Sequence, residues 1–195
     1  MLEDLLINAY RPCVGLLRAC KNHVVWIPSE GYIPRGYFGA EGDINEVELV
    51  LVLAEPGTPF KGESYCQSGP LEILKVQRQS CTDISGSIFH DNLLKILKYC
   101  FPGYSVELIM KKTWITESVL CSTPIDRGAN GNIPACVEKE CGNRFLAKQR
   151  VIFENAFWVT VGGKPKARLA SLNIKTDFHI HHPGLPAYNV YRKLM

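Results

Sequence analysis

The stretch VELVLVLA at residues 47–54 runs directly into Glu55-Pro56-Gly57. Apolar residues fill almost every position of this run, so we expect both faces of the segment to be covered by protein. Nearly continuous apolar runs of this length are typical of strands in parallel sheets. Pro56 and Gly57 end the run abruptly because both residues favour turns. The stretch therefore predicts a central strand of an α/β fold.

Three further strands are predicted on the C-terminal side of this run, and helices separate them. The strands cover residues 113–120, 157–161 and 177–180. The helices cover residues 70–78, 88–99, 134–153 and 166–172, with others at the two ends of the chain. The Gly-rich stretch GYIPRGYFGAEGDIN at residues 31–45 is predicted to be loop. This alternation indicates one three-layer α/β/α domain over residues 1–195, with a central, mostly parallel, four-stranded sheet.

The overall composition is that of an ordinary globular protein. The chain has 195 residues, of which 46% are hydrophobic and 21% are charged, and its formal net charge is +3. This mildly basic charge permits nucleic-acid binding without arguing for it. The longest purely apolar run, residues 49–54, is far too short to cross a bilayer, and no signal peptide is apparent. We therefore expect a cytoplasmic protein with no membrane partner.

Three segments with unusual chemistry stand at the ends of predicted strands. Glu55 follows the first strand, Glu117 lies on the second, and His182 follows the fourth. Ligands of parallel α/β sheets bind beyond the carboxyl ends of the strands. The topology therefore predicts that these three side chains share one rim of the sheet.

Four short motifs follow one another along the chain in a characteristic order. The first is Leu53-Ala54-Glu55-Pro56-Gly57, and the second is Ile115-Thr116-Glu117, with Cys121 shortly after it. The third is Val161-Gly162-Gly163, and the fourth is His182-Pro183-Gly184-Leu185-Pro186. In order and spacing these motifs resemble those of the uracil-DNA glycosylase superfamily. The resemblance is closest to its iron–sulfur-bearing bacterial and archaeal branch, from which Leu53 and Glu117 depart.

The resemblance implies an enzyme that flips a nucleotide out of DNA and hydrolyses the N-glycosidic bond of uracil or another altered base, as in base excision repair. Breaking that bond leaves positive charge on the sugar and negative charge on the departing base. Glu55 would stabilise the sugar cation or activate water, and His182 would stabilise the leaving base. The alternatives are that Glu55 is a solvated loop residue and that His182, like His179 and His181, is structural.

The same resemblance implies a monomer that binds single- or double-stranded DNA along its backbone. The loops around Pro56-Gly57 and Pro183-Gly184 would contact the phosphates. Lys164 would join them, because it follows the third strand at an end that faces DNA in this family. On charge alone, Lys164 and its basic neighbours, which include Arg168, are more often a solvated face.

Glu117 stands where the family usually has Asn, and it would set the choice of base. An amide offers both a donor and an acceptor to uracil, whereas an ionised Glu only accepts and would favour an edge rich in N–H donors. A buried, protonated Glu117 would still donate. The alternative is that Glu117 faces solvent. Tyr65 is the preferred aromatic for stacking on the flipped base, with Phe60 and Tyr37 as the other candidates.

Eight cysteines are many for a cytoplasmic chain, and buried free thiols are their default interpretation. The family's cluster-bearing branch implies a 4Fe-4S cluster held by Cys13, Cys20, Cys121 and Cys136. The 14 residues between Cys121 and Cys136 fit that branch, whereas the six between Cys13 and Cys20 exceed the usual two. Cys141 is a substitute ligand.

Two other functions remain open at this point. One is a nucleic-acid-binding module that kept the fold and lost the chemistry, which Glu117 and Leu53 favour. The other is an unrelated small-molecule hydrolase on a similar sheet, since fold alone does not determine function.

Overall fold

The computed structural model describes residues 2–11, 13, 20, 23–35, 37–59, 61–79, 88–123 and 132–184. Five strands form one sheet in the order β1-β3-β2-β4-β5. Their bounds are Phe38–Gly39 (β1), Leu49–Leu53 (β2), Thr113–Glu117 (β3), Phe157–Val161 (β4) and Phe178–Ile180 (β5). All pairings are parallel except that of β1 with β3. The predicted α/β class and mostly parallel sheet are confirmed.

The predicted number of four strands is wrong, because β1 adds a fifth. Its two residues pair antiparallel with Ile115 and Trp114 of β3. The strand lies inside the Gly-rich stretch that was predicted to be loop, and it is too short for any alternation of side chains to reveal it. Gly39 has a φ of 87°, and a Cβ placed there would overlap the carbonyl oxygen of Thr113. Only glycine allows the backbone to approach β3 so closely.

Alternate residues of β2 pack on opposite faces of the sheet, and helices cover both faces. Val50 and Val52 belong to a buried cluster that includes Leu5 and Leu6 of the first helix. The odd-numbered residues of β2 belong to a second cluster with Leu97 and Ile109 on other helices. This double coverage explains why the run at residues 47–54 is almost continuously apolar.

Along the chain, α-helices separate most of the strands, as the alternating sequence pattern predicts. They are Leu2–Ala9 (α1), Pro70–Gln79 (α2), Ile88–Cys100 (α3), Val106–Lys112 (α4), Ala135–Cys141 (α5), Ala147–Ile152 (α6) and Gly163–Ser171 (α7). Helix α4 was not predicted, although Ser105 caps it by accepting a hydrogen bond from the Leu108 N–H. The predicted helix over residues 134–153 consists of α5, the π-helical turn Gly142–Leu146 and α6. The predicted C-terminal helix lies outside the described residues.

The described part of the chain holds no helix that combines the length and the apolar character needed to cross a membrane.

Candidate functional site

Glu55 and Glu117 lie at the carboxyl ends of the two adjacent central strands. Glu117 is the last residue of β3 and pairs in register with Leu53, the last residue of β2. The backbone pairing continues beyond the strands, because the Ser118 N–H donates to the Leu53 carbonyl at 2.8 Å and the Val119 N–H to the Ala54 carbonyl at 3.0 Å. This ladder holds the two carboxyl groups on one rim of the sheet.

Both carboxylate oxygens of Glu55 are engaged in ion pairs. Lys164 contacts Oε1, and Arg168 Nη1 lies 2.6 Å from Oε2. The Glu55 side chain is only 6% exposed. Glu55 is therefore not the solvated loop residue of the alternative interpretation, but a fixed carboxylate with two cationic partners.

Arg168 is the central residue of this rim, a role that the sequence did not predict for it. It is 4% exposed, and besides Glu55 it donates to Glu138 Oε1 at 2.6 Å. Its Nη1 also donates to the Ala54 carbonyl at 2.8 Å and to Ser118 Oγ at 3.0 Å. The interpretation of Arg168 as part of a solvated face is wrong. Its spacing of four residues from Lys164 was the available signal, since residues i and i+4 share a helix face.

Glu117 is buried beside this network, with 6% of its surface exposed. Burial raises its pKa well above the usual range, and the negative charge of Glu55 raises it further. Arg168 and Arg35 act in the opposite direction without reversing the shift. Within the described residues, Oε2 has no hydrogen-bond partner. The alternative that Glu117 faces solvent is wrong.

His182 follows β5 and presents a defined tautomer. Its Nδ1 accepts a hydrogen bond from the Gly184 N–H at 3.1 Å, so the neutral ring carries its proton on Nε2. His182 is solvent-exposed as a residue, but partial desolvation of its ring lowers the pKa of His182, while Glu55 is close enough to raise it in part. The ring stacks on Phe89, with 5.3 Å between the centroids. His182 therefore offers a neutral Nε2–H donor near Glu55.

Two residues from other elements hold the His182 turn in place. Asn92 of α3 donates to the Pro183 carbonyl at 2.9 Å in a buried hydrogen bond. Gly162 has a φ of 98°, and a Cβ there would lie 3.4 Å from the Cβ of His182. His179 has a different environment, since its Nδ1 lies 3.1 Å from Thr160 Oγ1. No pattern in the sequence connected Asn92 to this turn, 91 residues away.

Arg35 binds the Pro56-Gly57 loop through the carbonyl oxygen of Gly57. Its Nη2 donates to the Gly57 carbonyl and to Ser122 Oγ, the latter at 3.2 Å. Ser122 Oγ also donates to the Gly57 carbonyl at 2.9 Å. Arg35 Nη1 forms an ion pair of 3.3 Å with Glu63. This predicted DNA-contacting loop is therefore tied to two other segments through one guanidinium group.

Tyr65 belongs to the Arg35 network rather than to the rim. Its hydroxyl donates to Glu63 Oε1 at 2.7 Å and accepts from Gln77 Nε2 at 2.8 Å. Burial raises its pKa, and only 8% of the residue is exposed. Tyr37 is fully buried and stacks on Trp114 in the core. Stacking of Tyr65 on a base stays a prediction, and Phe60 lies outside the described residues.

An open surface depression of about 370 Å³ lies beside the continuation of the Pro56-Gly57 loop. Its lining includes Thr58, Lys61 and Glu63. Glu55, Glu117 and His182 do not line it. The depression is therefore adjacent to the predicted DNA-contacting loop and separate from the carboxyl groups of the rim.

The cysteine thiols of three segments approach one another. Cys13, Cys20, Cys121 and Cys141 are partly buried, whereas Cys136 is exposed. Burial raises the pKa of the Cys121 thiol, and the other three partly buried thiols raise it further. In the described ranges, no group of three or more His, Cys, Asp or Glu side chains could hold a metal ion. The predicted ligands are thus neighbours that do not form a closed metal site.

No protein-family model and no curated protein matches the chain.

Proposed function

We propose that this protein is a DNA N-glycosylase that hydrolyses the bond between a flipped, altered base and its sugar. The observation that carries the proposal is the pairing of a buried carboxylate with a neutral imidazole donor on one rim. Glu55 is close enough to His182 to influence its pKa. Such a pair can accelerate glycosidic hydrolysis, because one group stabilises each side of the breaking bond.

The roles of the two groups follow from the charges that develop. When the C1′–N bond breaks, its electron pair leaves with the base, and positive charge forms on the sugar. The Glu55 carboxylate stabilises that cation, while the Nε2–H of His182 donates to an oxygen of the departing base. Water then adds to C1′ and loses a proton to Glu55. The neutral state of His182 suits a hydrogen-bond donor that does not transfer its proton.

Lys164 links DNA binding to the availability of Glu55. Its side chain is 36% exposed, so a DNA phosphate can compete for its ammonium group. Once Lys164 turns to the phosphate, Oε1 of Glu55 becomes free for water, while the buried Arg168 still holds Oε2. In the three-layer α/β/α arrangement that we propose, the loops around Pro56-Gly57 and Pro183-Gly184 would contact the neighbouring phosphates.

A 4Fe-4S cluster is a further part of the proposal, and it would be structural. Cys13, Cys20 and Cys121 supply three thiols, and Cys141 replaces the predicted Cys136, which is exposed. A spacing of five residues on a helix places the side chains of Cys136 and Cys141 about 140° apart, although Cys136 is near enough to Cys20 to raise the pKa of that thiol. The four cysteine side chains would have to rotate toward one another to bind the cluster, since the described thiols form no group that could hold a metal ion. Iron content after anaerobic reconstitution tests this, with Cys141→Ser losing iron and Cys136→Ser retaining it.

The decisive experiment is strand cleavage at abasic sites. Purified protein is incubated with oligonucleotides containing uracil, hypoxanthine, xanthine or only ordinary bases, and alkali then cleaves any abasic site. We expect cleavage at one altered base. Glu55→Gln and His182→Ala should each lose at least about 100-fold in rate. Glu48→Gln, on an exposed carboxylate, and His181→Ala are the matched controls and should retain activity.

The second candidate is a DNA-binding module without catalysis. Both oxygens of Glu55 are already paired with cations, and this observation favours it. It predicts DNA affinity that falls steeply with salt and no cleavage of any substrate. Absence of both cleavage and DNA affinity would remove both candidates and favour a small-molecule hydrolase.

A further inference from the structure

Lys164 brings a primary amine to the same rim of the sheet. It is the second residue of α7 and follows Val161, the last residue of β4, by three positions. In the sheet order, β4 lies between β2, which ends shortly before Glu55, and β5, which ends shortly before His182. The amine therefore comes from between the two groups that the proposed function assigns to the sugar and to the leaving base.

The Lys164 amine contacts Glu55 and is also accessible from the surface. Its Nζ donates to Glu55 Oε1, and the Lys164 side chain is 36% exposed. Arg168, which holds the other oxygen of Glu55, is only 4% exposed. The two cations also differ in chemistry, because a lysine amine that loses a proton becomes a nucleophile, whereas an arginine guanidinium keeps its proton in proteins.

An abasic sugar is a reactant that suits this position. It has lost its base, so it needs no base pocket behind the rim, and its ring-opened form has an aldehyde at C1′. Lysine amines form Schiff bases with such carbonyl groups. Glu55 is the carboxylate assigned to C1′, so its contact with Nζ brings the amine to the same carbon.

We propose that Lys164 gives this protein a second activity, the cleavage of DNA at abasic sites through a Schiff base. The inference rests on the proposed function for the position of C1′ beside Glu55. The exposed side chain of Lys164 serves two partners in turn. It binds a phosphate while the base is attached, and it reacts with the sugar aldehyde after the base has left.

The imine forms in two steps that return Glu55 to its starting state. Glu55 takes a proton from the Lys164 ammonium group, and the neutral Nζ attacks the C1′ aldehyde. The hydroxyl group of this adduct then leaves as water with the proton from Glu55, which gives the protonated imine.

Strand cleavage follows from the imine by elimination. Glu55 removes a proton from C2′, and the C3′–O bond breaks, with its electron pair leaving on the 3′-phosphate. Glu55 then releases its proton to solvent. Water hydrolyses the conjugated imine, which restores the Lys164 ammonium group and frees an unsaturated aldehyde on the 5′ fragment.

Reductive trapping on DNA with a preformed abasic site tests the proposal. An unrelated uracil-removing enzyme makes the abasic site and is removed before the assay, so this protein need not release a base. Sodium cyanoborohydride reduces the imine to a stable secondary amine that joins protein and DNA covalently. We expect a covalent complex on a denaturing gel, with the link mapped by mass spectrometry to Lys164. Samples without the reductant should contain cleaved strands before any treatment with alkali.

Three variants separate the role of Lys164 from that of a nearby positive charge. Lys164→Arg keeps a cation beside Glu55 but cannot form an imine, so the covalent complex should be lost at saturating protein. Glu55→Gln keeps the amine and removes the proton acceptor, so trapping should slow at least about 100-fold. Lys166→Arg is the matched control, because Lys166 is an exposed lysine of the same helix, and it should retain the complex. Circular dichroism checks that each variant is folded.

The outcomes distinguish this activity from the proposed function. No covalent complex with the wild type, an undiminished complex with Lys164→Arg, or a link to another amine would each overturn the proposal. Trapping without base release in the strand-cleavage assay would remove the proposed glycosylase and leave the abasic-site activity standing. Base release without trapping would overturn the abasic-site activity and leave the glycosylase.

Discussion

Replacing Glu117 with Gln is expected to change how the free energy of unfolding depends on pH. In the folded protein, burial and the charge of Glu55 hold the pKa of Glu117 well above its ordinary value of 4.5. In the unfolded chain the carboxyl is solvated and ionises near that value. Over the interval between these two pKa values, the folded state therefore holds one proton more than the unfolded state.

The magnitude follows from this single proton. The stabilising contribution is fully present below the unfolded pKa and is lost as the pH rises through the folded pKa. Within the interval the loss amounts to about 1.4 kcal/mol per pH unit. Gln has the same shape and does not ionise, so the variant lacks this loss. Its stability relative to the wild type should increase by about 1.4 kcal/mol for each pH unit.

Urea unfolding at several pH values between about 5 and 8 measures the difference. Glu48→Gln is the control, because the Glu48 side chain is 57% exposed and lies at the surface beside Lys112. Its curve should run parallel to that of the wild type. A Glu117→Gln curve that also runs parallel to the wild type would show that folding does not change the ionisation of Glu117, and would refute the reasoning.

Two further predictions concern stability. Arg168→Gln should lower the free energy of unfolding in urea by about 3 kcal/mol, because it leaves the buried Glu55 with one fewer cation. The control Arg144→Gln removes only an exposed ion pair on a helix and should lower it by less than about 0.5 kcal/mol. Equal losses for the two arginines would contradict the central position of Arg168. Gly39→Ala should prevent stable folding, as judged by circular dichroism, because its Cβ would overlap the Thr113 carbonyl, whereas Gly57→Ala has open space and should fold. A folded Gly39→Ala protein would mean that β1 does not approach β3 so closely.

The sequence predicted the parallel strands because their signal is local. The run at residues 47–54 is apolar on both faces, and β2 is covered on both faces. The two-residue strand at Phe38–Gly39 offered no such signal, since a pair of residues has no periodicity. Helix α4 was missed for a related reason: its seven residues are too few for a clear amphipathic pattern.

The sequence predicted Glu55 and His182 as site residues, but not the contacts that hold them in place. Glu55 and His182 stand out because each precedes a proline and glycine at a strand end. Arg168 reaches Glu55 only because α7, which packs against β4, lies near the loop that follows β2, and no short-range pattern records that contact. Asn92 likewise reaches the His182 turn across 91 residues. Such pairings depend on the packed sheet and become visible only in three dimensions.

The guanidinium of Arg35 connects three segments that are distant in the sequence. Because one guanidinium group donates to Gly57, Glu63 and Ser122, a shift of any one of these segments strains or breaks its hydrogen bond to Arg35. Under the proposed function, DNA that contacts the Gly57 turn would therefore displace the Glu63 and Ser122 segments together with it. A displacement of the Gly57 turn is therefore passed to the segment that follows β3, where Ser122 lies five residues after Glu117.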